Sequence, residues 1–207
     1  MEREVNTVVV GNRVVTPSKV VCVGRNYVEH IEELNNEVPD DMVLFIKPNS
    51  AIADELLSFH LEAIHYEAEL CFLVEGGEFV AVGLGLDLTK RGLQSKLKAK
   101  GLPWERAKSF DGSAVISEFI NIQNISDGLT FELFINDKPT QSGSIELMMN
   151  KPLQILDEIQ TFMSMEDGDI VMTGTPKGVG EVNAGDEFKV TLSDNGSILT
   201  QASWRAL

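Results

Sequence analysis

Two apolar runs joined by a four-residue Gly-rich link constrain this chain more than any other feature. The first is His65-Tyr66-Glu67-Ala68-Glu69-Leu70-Cys71-Phe72-Leu73-Val74 and the second is Phe79-Val80-Ala81-Val82-Gly83-Leu84-Gly85-Leu86-Asp87, with Glu75-Gly76-Gly77-Glu78 between them. The link has the composition of a hairpin turn, which lays the two runs side by side as strands. In an extended chain, side chains at i and i+2 share a face, so Glu67 and Glu69 look the same way. Asp87 ends the second strand. Three carboxylates converging in an apolar setting repel one another unless a cation sits between them. A hard divalent ion with oxygen ligands, Mg²⁺ or Mn²⁺, meets that need. Glu-x-Glu on a strand is by itself commoner as the solvated face of a half-buried sheet, but here the same face continues with Cys71 and Leu73.

The chain has 207 residues, of which 43% are hydrophobic and 24% charged, the composition of a globular protein that buries about 70% of its unfolded surface. Its net charge of −15 repels nucleic acid and anionic membrane, so neither is expected as a partner. An anionic substrate needs a local cluster of Arg and Lys to overcome that field. No apolar stretch is long enough to span a bilayer and the start is not that of a signal peptide, which makes the cytoplasm the expected location. Cys22 and Cys71 lie in separate apolar runs and are expected as buried thiols.

Strand patterns cover residues 7–10, 14–15 and 19–23, with Gly11-Asn12 as a turn. Residues 24–34 predict a turn into a short helix with Asn26 as its N-cap, and a polar stretch over residues 35–41 leads to a strand over residues 42–47, stopped by Pro48. A helix over residues 88–100 puts Leu93 and Leu97 on one face and ends at Gly101. Further strands include residues 129–135, turning at Asn136-Asp137. Pro152 opens a second helix with Ile155, Leu156, Ile159, Phe162 and Met163 as its apolar stripe, and residues 169–173 and 187–192 close the chain as strands. Without repeats or linkers, the expectation is one strand-rich α+β domain over residues 1–207, of which residues 1–18 form a short N-terminal strand region.

His30 and Glu33 are three apart on the short helix and can touch. A carboxylate beside an imidazole raises its basicity and fixes its tautomer, as a general base requires, although on an acidic helix the same spacing also fits a plain surface contact. Lys108, among large apolar residues after a proline turn, is either a fixed cation or a snorkelling side chain. Thr173-Gly174-Thr175-Pro176-Lys177-Gly178-Val179-Gly180 lacks the ending of a phosphate loop and is expected as a tight turn offering backbone N–H groups and Thr175 to an anion. Three histidines without His-x-His or His-Glu-x-x-His exclude a cupin-type or zincin site.

Taken together these segments resemble one family. Gly24-Arg25-Asn26-Tyr27-Val28-Glu29-His30 is similar to the G-x-N-Y-x-x-H motif of the fumarylacetoacetate hydrolase superfamily. Phe45-Ile46-Lys47-Pro48, Tyr66-Glu67-Ala68-Glu69-Leu70, Asp87-Leu88-Thr89 with Arg91 and Gln94, Lys108-Ser109-Phe110-Asp111, Gly168-Asp169-Ile170 and the 173–180 loop follow in family order. The short N-terminus points to the one-domain acylpyruvase and oxaloacetate decarboxylase branch. The resemblance implies a mixed β-sandwich roll with a few short helices, a homodimer, and Mg²⁺ or Mn²⁺ on Glu67, Glu69 and Asp87. It also implies His30 and Glu33 as a water-activating dyad on a lid helix, Lys108 beside the metal, and Arg25, Gln94 and Thr175 near the substrate's oxygens. Gly92 stands where relatives often carry an acid, which weakens the helix start and leaves the role of Arg91 open.

Three carboxylates and one divalent ion sum to about −1, which repels a 2-oxo acid, and Lys108, with Arg25 or Lys47 pointing inward, reverses that sign. The function implied is hydrolysis of acylpyruvates through an enolate, together with decarboxylation of oxaloacetate. Isomerisation of 2-hydroxymuconate-type dioates or tautomerisation of oxaloacetate is the close alternative, because each uses the same enolate. A non-catalytic binding domain is the rival from another class, and the intact set of charged residues argues against it.

Overall fold

In the computed structural model, which describes residues 5–33 and 40–207, the chain begins with β1 (Val8–Val10) and β2 (Arg13–Val15), paired antiparallel across Gly11-Asn12. Next come β3 (Lys19–Gly24), α1 (Val28–Glu33), β4 (Val43–Pro48) and β5 (Ile52–Ala53). Leu34 and most of the polar stretch after it lie outside the described residues. Then follow β6 (His65–Tyr66), β7 (Ala68–Glu75) and β8 (Glu78–Asp87), the last two forming the expected hairpin with Glu75 opposite Glu78. After them are α2 (Arg91–Ala99), the single turn α3 (Glu105–Lys108), β9 (Ala114–Ile116) and β10 (Ile120–Asn121). The C-terminal part holds β11 (Leu129–Ile135), β12 (Lys138–Ser144), α4 (Pro152–Gln160), β13 (Ile170–Met172), β14 (Gly180–Glu181), β15 (Glu187–Asp194) and β16 (Ser197–Arg205).

An eight-stranded mixed sheet in the order β4-β3-β13-β7-β8-β9-β5, with β10 added on β8, faces a four-stranded sheet in the order β12-β11-β15-β16. Alternate residues of β7 explain how the layers stack. Leu70, Phe72 and Val74 pack with Phe131, Leu133, Phe188, Val190 and the α4 residues Ile155 and Ile159, while Cys71 and Leu73 face Val8, Val10, Val20 and Ile170 on the other side. The hairpin β7–β8 is therefore buried on both faces, and its run of apolar residues follows from that. This is the strand-rich α+β roll with a few short helices that the sequence predicts. Among the described residues no helix is long and apolar enough to cross a membrane.

Several local expectations are corrected. Asn26 does not cap α1: its Nδ2 donates to the carbonyls of Thr173 (2.8 Å) and Asn150 (3.0 Å), and its Oδ1 accepts from the Asn150 amide, tying the turn before α1 to the end of β13. Residues 88–90 are not helical, because Leu88 bonds to Ser113 and Thr89 bridges to His65, and those sheet contacts delay α2 until Arg91. The strand expected over residues 169–173 is present as β13, but it lies inside the large sheet, parallel to β3 and antiparallel to β7. Phe162 lies beyond the end of α4 and is 59% exposed, outside the buried stripe.

Candidate active site

Glu69 lies in β7 and Asp87 ends β8, while Glu67 occupies the one-residue break between β6 and β7 and is not in a strand. The register still brings the three together, since Glu69 stands opposite Gly85 and the Asp87 amide donates to the Glu67 carbonyl at 2.8 Å. One carboxylate oxygen from each lies within 4.8 Å of the others. Their exposures are 5%, 1% and 1%, so water cannot screen their mutual repulsion.

Lysines supply part of the compensation. Lys108 is not snorkelling: it is fully buried, its Nζ 2.7 Å from Glu67 Oε2, 2.6 Å from Asp87 Oδ2 and 2.6 Å from Thr89 Oγ1. Lys47 Nζ lies 2.8 Å from Asp87 Oδ1, near enough to form an ion pair but out of line for a hydrogen bond, so among the described residues that oxygen has no hydrogen-bond donor. Arg91 pairs with the other Glu67 oxygen and donates to Gln94 Oε1 at 2.8 Å. Glu69 receives only the Gly174 amide, at 2.7 Å, and has no ion pair among the described residues.

The protonation preferences follow from these contacts. Burial works to raise the Glu67 carboxyl, but Lys108 and then Arg91 outweigh it and hold it well below the usual range. For Glu69, burial acts together with Asp87 and Glu67, and its carboxyl is pushed well above that range. Burial opposes the charge of Lys108, yet Asp87 and Glu67 prevail and raise its pKa. With Lys47, Lys108 and Arg91 against the three carboxylates, the cluster is formally neutral; a divalent ion brings it to about +2. The residues fit Mg²⁺ or Mn²⁺: the donors are all oxygens, and among the described residues Glu69 has no ion pair and Asp87 Oδ1 no hydrogen-bond donor.

Beside the carboxylates is a narrow cleft of about 30 Å³, lined by Arg25, His30, Phe45, Glu67, Arg91, Gln94, Lys98, Trp104 and Lys108. His30 Nδ1 is 3.3 Å from Glu33 Oε2, and Glu33 accepts the Gly178 amide through both oxygens, at 3.0 and 3.2 Å. Burial lowers the His30 pKa, with Glu67 and Glu33 opposing only in part. Two roomier cavities of about 500 Å³ each contain none of the three carboxylates, so charge and chemistry, not volume, mark the site.

The structure thus gathers His30, Lys108, Arg25 and Gln94 at one cleft, with Glu33 behind His30. Two expected substrate contacts lie elsewhere. Lys47 is entirely buried behind Asp87, and the Thr175 hydroxyl donates to the Ala68 carbonyl at 2.9 Å while accepting from Gln141. The 173–180 loop does offer amides to anions, but to the protein's own Glu69 and Glu33. Sequence reasoning named Thr89 only within a family motif, without a role, and missed Lys98 and Gln141. Arg91, Gln94 and Lys98 stand at i, i+3 and i+7, one face of α2, and that spacing was the available signal for Lys98.

Residues 19–202 match the family model described as "Fumarylacetoacetate (FAA) hydrolase C-terminal". The chain belongs to the fumarylacetoacetate hydrolase family. It is 37% identical over 202 residues to Oxaloacetate tautomerase YcgM of Escherichia coli, covering 89% of this chain and 92% of that one. To the mitochondrial oxaloacetate tautomerase oaa1 of Schizosaccharomyces pombe it is 39% identical over 194 residues, covering 84% and 88%. The structure of yeast ynq8, a fumarylacetoacetate hydrolase family protein, superposes with a TM-score of 0.76 at 30% identity, covering 92% of this chain and 93% of that one. The fold is shared at a TM-score of 0.89 with fumarylpyruvate hydrolase from Pseudomonas aeruginosa in complex with Mn²⁺ and pyruvate, at 24% identity over 100% and 97% of the two chains. The protein is an enzyme of this family.

Proposed function

We propose that this enzyme interconverts the enol and keto forms of oxaloacetate, with Mg²⁺ or Mn²⁺ held by Glu67, Glu69 and Asp87. The observation that carries the reading is a buried His30 sharing one narrow cleft with Lys108, Arg91 and Arg25. The tautomerase names of its relatives support it. So does a formal charge of about +2 in the ion-loaded cluster, which suits a dicarboxylate. The bound ion would supply Lewis acidity to the substrate's 1-carboxylate and 2-oxygen.

The chain's own residues carry the protons. With Nδ1–H turned to Glu33, His30 presents an unprotonated Nε2 to the cleft. It removes a proton from C3, the C–H pair becomes the C2=C3 bond, the C2=O2 π pair moves onto O2, and O2 takes a proton donated from the side of Lys108. The reverse steps return the ketone with no co-reactant. Arg25, Gln94 and Lys98, which line the cleft, orient the distal carboxylate, while Phe45 and Trp104 narrow the access of water.

Hydrolysis of a short acylpyruvate is the second reading, favoured by the His30–Glu33 contact, which is equally able to deprotonate a water. Attack at C4 followed by C3–C4 cleavage then releases pyruvate enolate and a carboxylic acid. As the family resemblance implies, the working unit is taken to be a homodimer. Decay of the enol absorbance of oxaloacetate, with Mn²⁺ and with Mg²⁺, tests the first reading, and acetylpyruvate cleavage in the same buffers tests the second. Enol decay no faster than with the free ion, alongside acetylpyruvate cleavage, would replace the first with the second.

A further inference from the structure

We infer that Gln141, on β12 of the opposite sheet, is a positioning residue that sets the metal carboxylates and the His30–Glu33 dyad in one frame. The inference concerns the site of the proposed reaction and so rests on that reading. It begins with a gap in the sheet. On the side of β7 that faces β13, pairing runs from Leu73 to Cys71 and continues as the Thr173 amide on the Leu70 carbonyl. At Gly174 the chain turns away, and the Ala68 N–H and C=O, between Glu67 and Glu69, are left facing no strand. Two side chains take the place of the strand. Gln141 Oε1 accepts the Ala68 N–H at 3.0 Å, and the Thr175 hydroxyl donates to the Ala68 carbonyl at 2.9 Å.

The other end of the same amide holds the loop. Gln141 Nε2 donates to Thr175 Oγ1 and to the Pro176 carbonyl, both at 2.9 Å. The partners fix the amide's orientation, since Ala68 N–H can only donate and the Pro176 carbonyl can only accept. The loop held this way carries the Gly174 amide to Glu69 and the Gly178 amide to Glu33. Gln141 is 4% exposed and touches neither the carboxylates nor the cleft. It therefore acts through Ala68 on the metal ligands and through the loop on Glu33. Groups of this kind, one shell out from a metal, change affinity by about 10–100-fold when removed.

Two variants separate the arms. Gln141→Met keeps the volume and removes both, whereas Gln141→Glu keeps an acceptor for Ala68 and cannot donate to Pro176. Calorimetric titration of metal-free protein with MnCl₂ is expected to show affinity reduced about 10–100-fold in Gln141→Met and no weaker than wild type in Gln141→Glu. Both variants should lose at least about tenfold in kcat with KM little changed. Combining Gln141→Met with Glu33→Gln should lower kcat no further than the worse single change, because the two act along one path. Wild-type Mn²⁺ affinity and kcat in Gln141→Met, with only a lower Tm, would make Gln141 a brace and overturn the inference. Should Gln141→Met fail to fold, kcat within twofold of wild type in Gln141→Glu overturns it instead. A wild-type enzyme inactive on oxaloacetate would defeat the proposed function alone, and the Mn²⁺ titration would still decide the role of Gln141.

Discussion

Lys108 is the counter-cation of the carboxylate cluster, its ammonium bridging Glu67 and Asp87. In the proposed reaction a bound divalent ion would take over that role and leave the charge to substrate. Lys108→Met is therefore expected to make the metal-free protein about 3–5 kcal/mol less stable, as when one partner of a buried pair is removed. Mn²⁺ should restore most of the loss, while kcat falls on the order of 10²-fold. Urea denaturation with and without the ion reads the first effect, and equal metal-free stabilities would refute the counter-cation role. Glu69→Ala should behave in the opposite sense. It removes a buried carboxylate that has no ion pair among the described residues, so the metal-free protein becomes no less stable while Mn²⁺ affinity is lost in calorimetry. His30 adds a pH prediction. Its pKa is lowered from an ordinary 6.5, so the base form persists as pH falls, and the acid limb of kcat/KM belongs below 6.5. A limb at or above that value would mean that His30 is not the base.

At the scale of elements, side chains of helix α1 meet the 173–180 loop in two contacts of unequal weight among the described residues. Lys177 and Glu29 pair at 3.0 Å on the surface, 63% and 65% exposed, where solvent and salt leave such pairs weak. Lys177→Ala should leave stability unchanged within error. Gly178 is different: its φ is +98°, and a Cβ there would run into the Thr140 carbonyl oxygen. Gly178→Ala is expected to cost about 1–3 kcal/mol in chemical denaturation and to lower kcat by moving the amide that Glu33 accepts. Denaturation midpoints that coincide with wild type would show that the loop yields freely. The elements also show where a sequence can be read and where it cannot. The carboxylate hairpin was legible because strand periodicity and the Gly76-Gly77 turn are local signals. The start of α2 was not, since a bridge from Thr89 to His65 extends residues whose local pattern is helical. Gln141 was hidden for the same reason, its partners lying 73 and 34 positions away.

For the whole molecule, the buried sheet accounts for both the fold and the electrostatic character of the site. Lys47 shows this best: a lysine on a half-exposed edge strand becomes wholly buried because α3 and the end of β8 close over it, which no local pattern announces. Family order of the motifs made the roll and most of the site legible, whereas the burial of the lysines depends on contacts across the fold. Acid stability follows from another buried charge. Burial works to raise the Asp169 carboxyl, but Lys19, Ser18 and the Glu166 amide outweigh it and hold it below the ordinary 3.8. A depressed folded pKa contributes stability above the unfolded value, and that contribution is lost as pH falls through the folded one. Asp169→Asn should thus be less stable than wild type at pH 7, and the gap should close below about pH 4 in denaturation curves; a gap independent of pH would rule this out. The central claim, that His30 moves the proton in a cleft charged for a dicarboxylate, has a more direct test. Enol decay of oxaloacetate by the Mn²⁺-loaded enzyme is expected to slow by about 10²–10⁴-fold in His30→Ala with Mn²⁺ affinity retained, and an undiminished rate in that variant would contradict it.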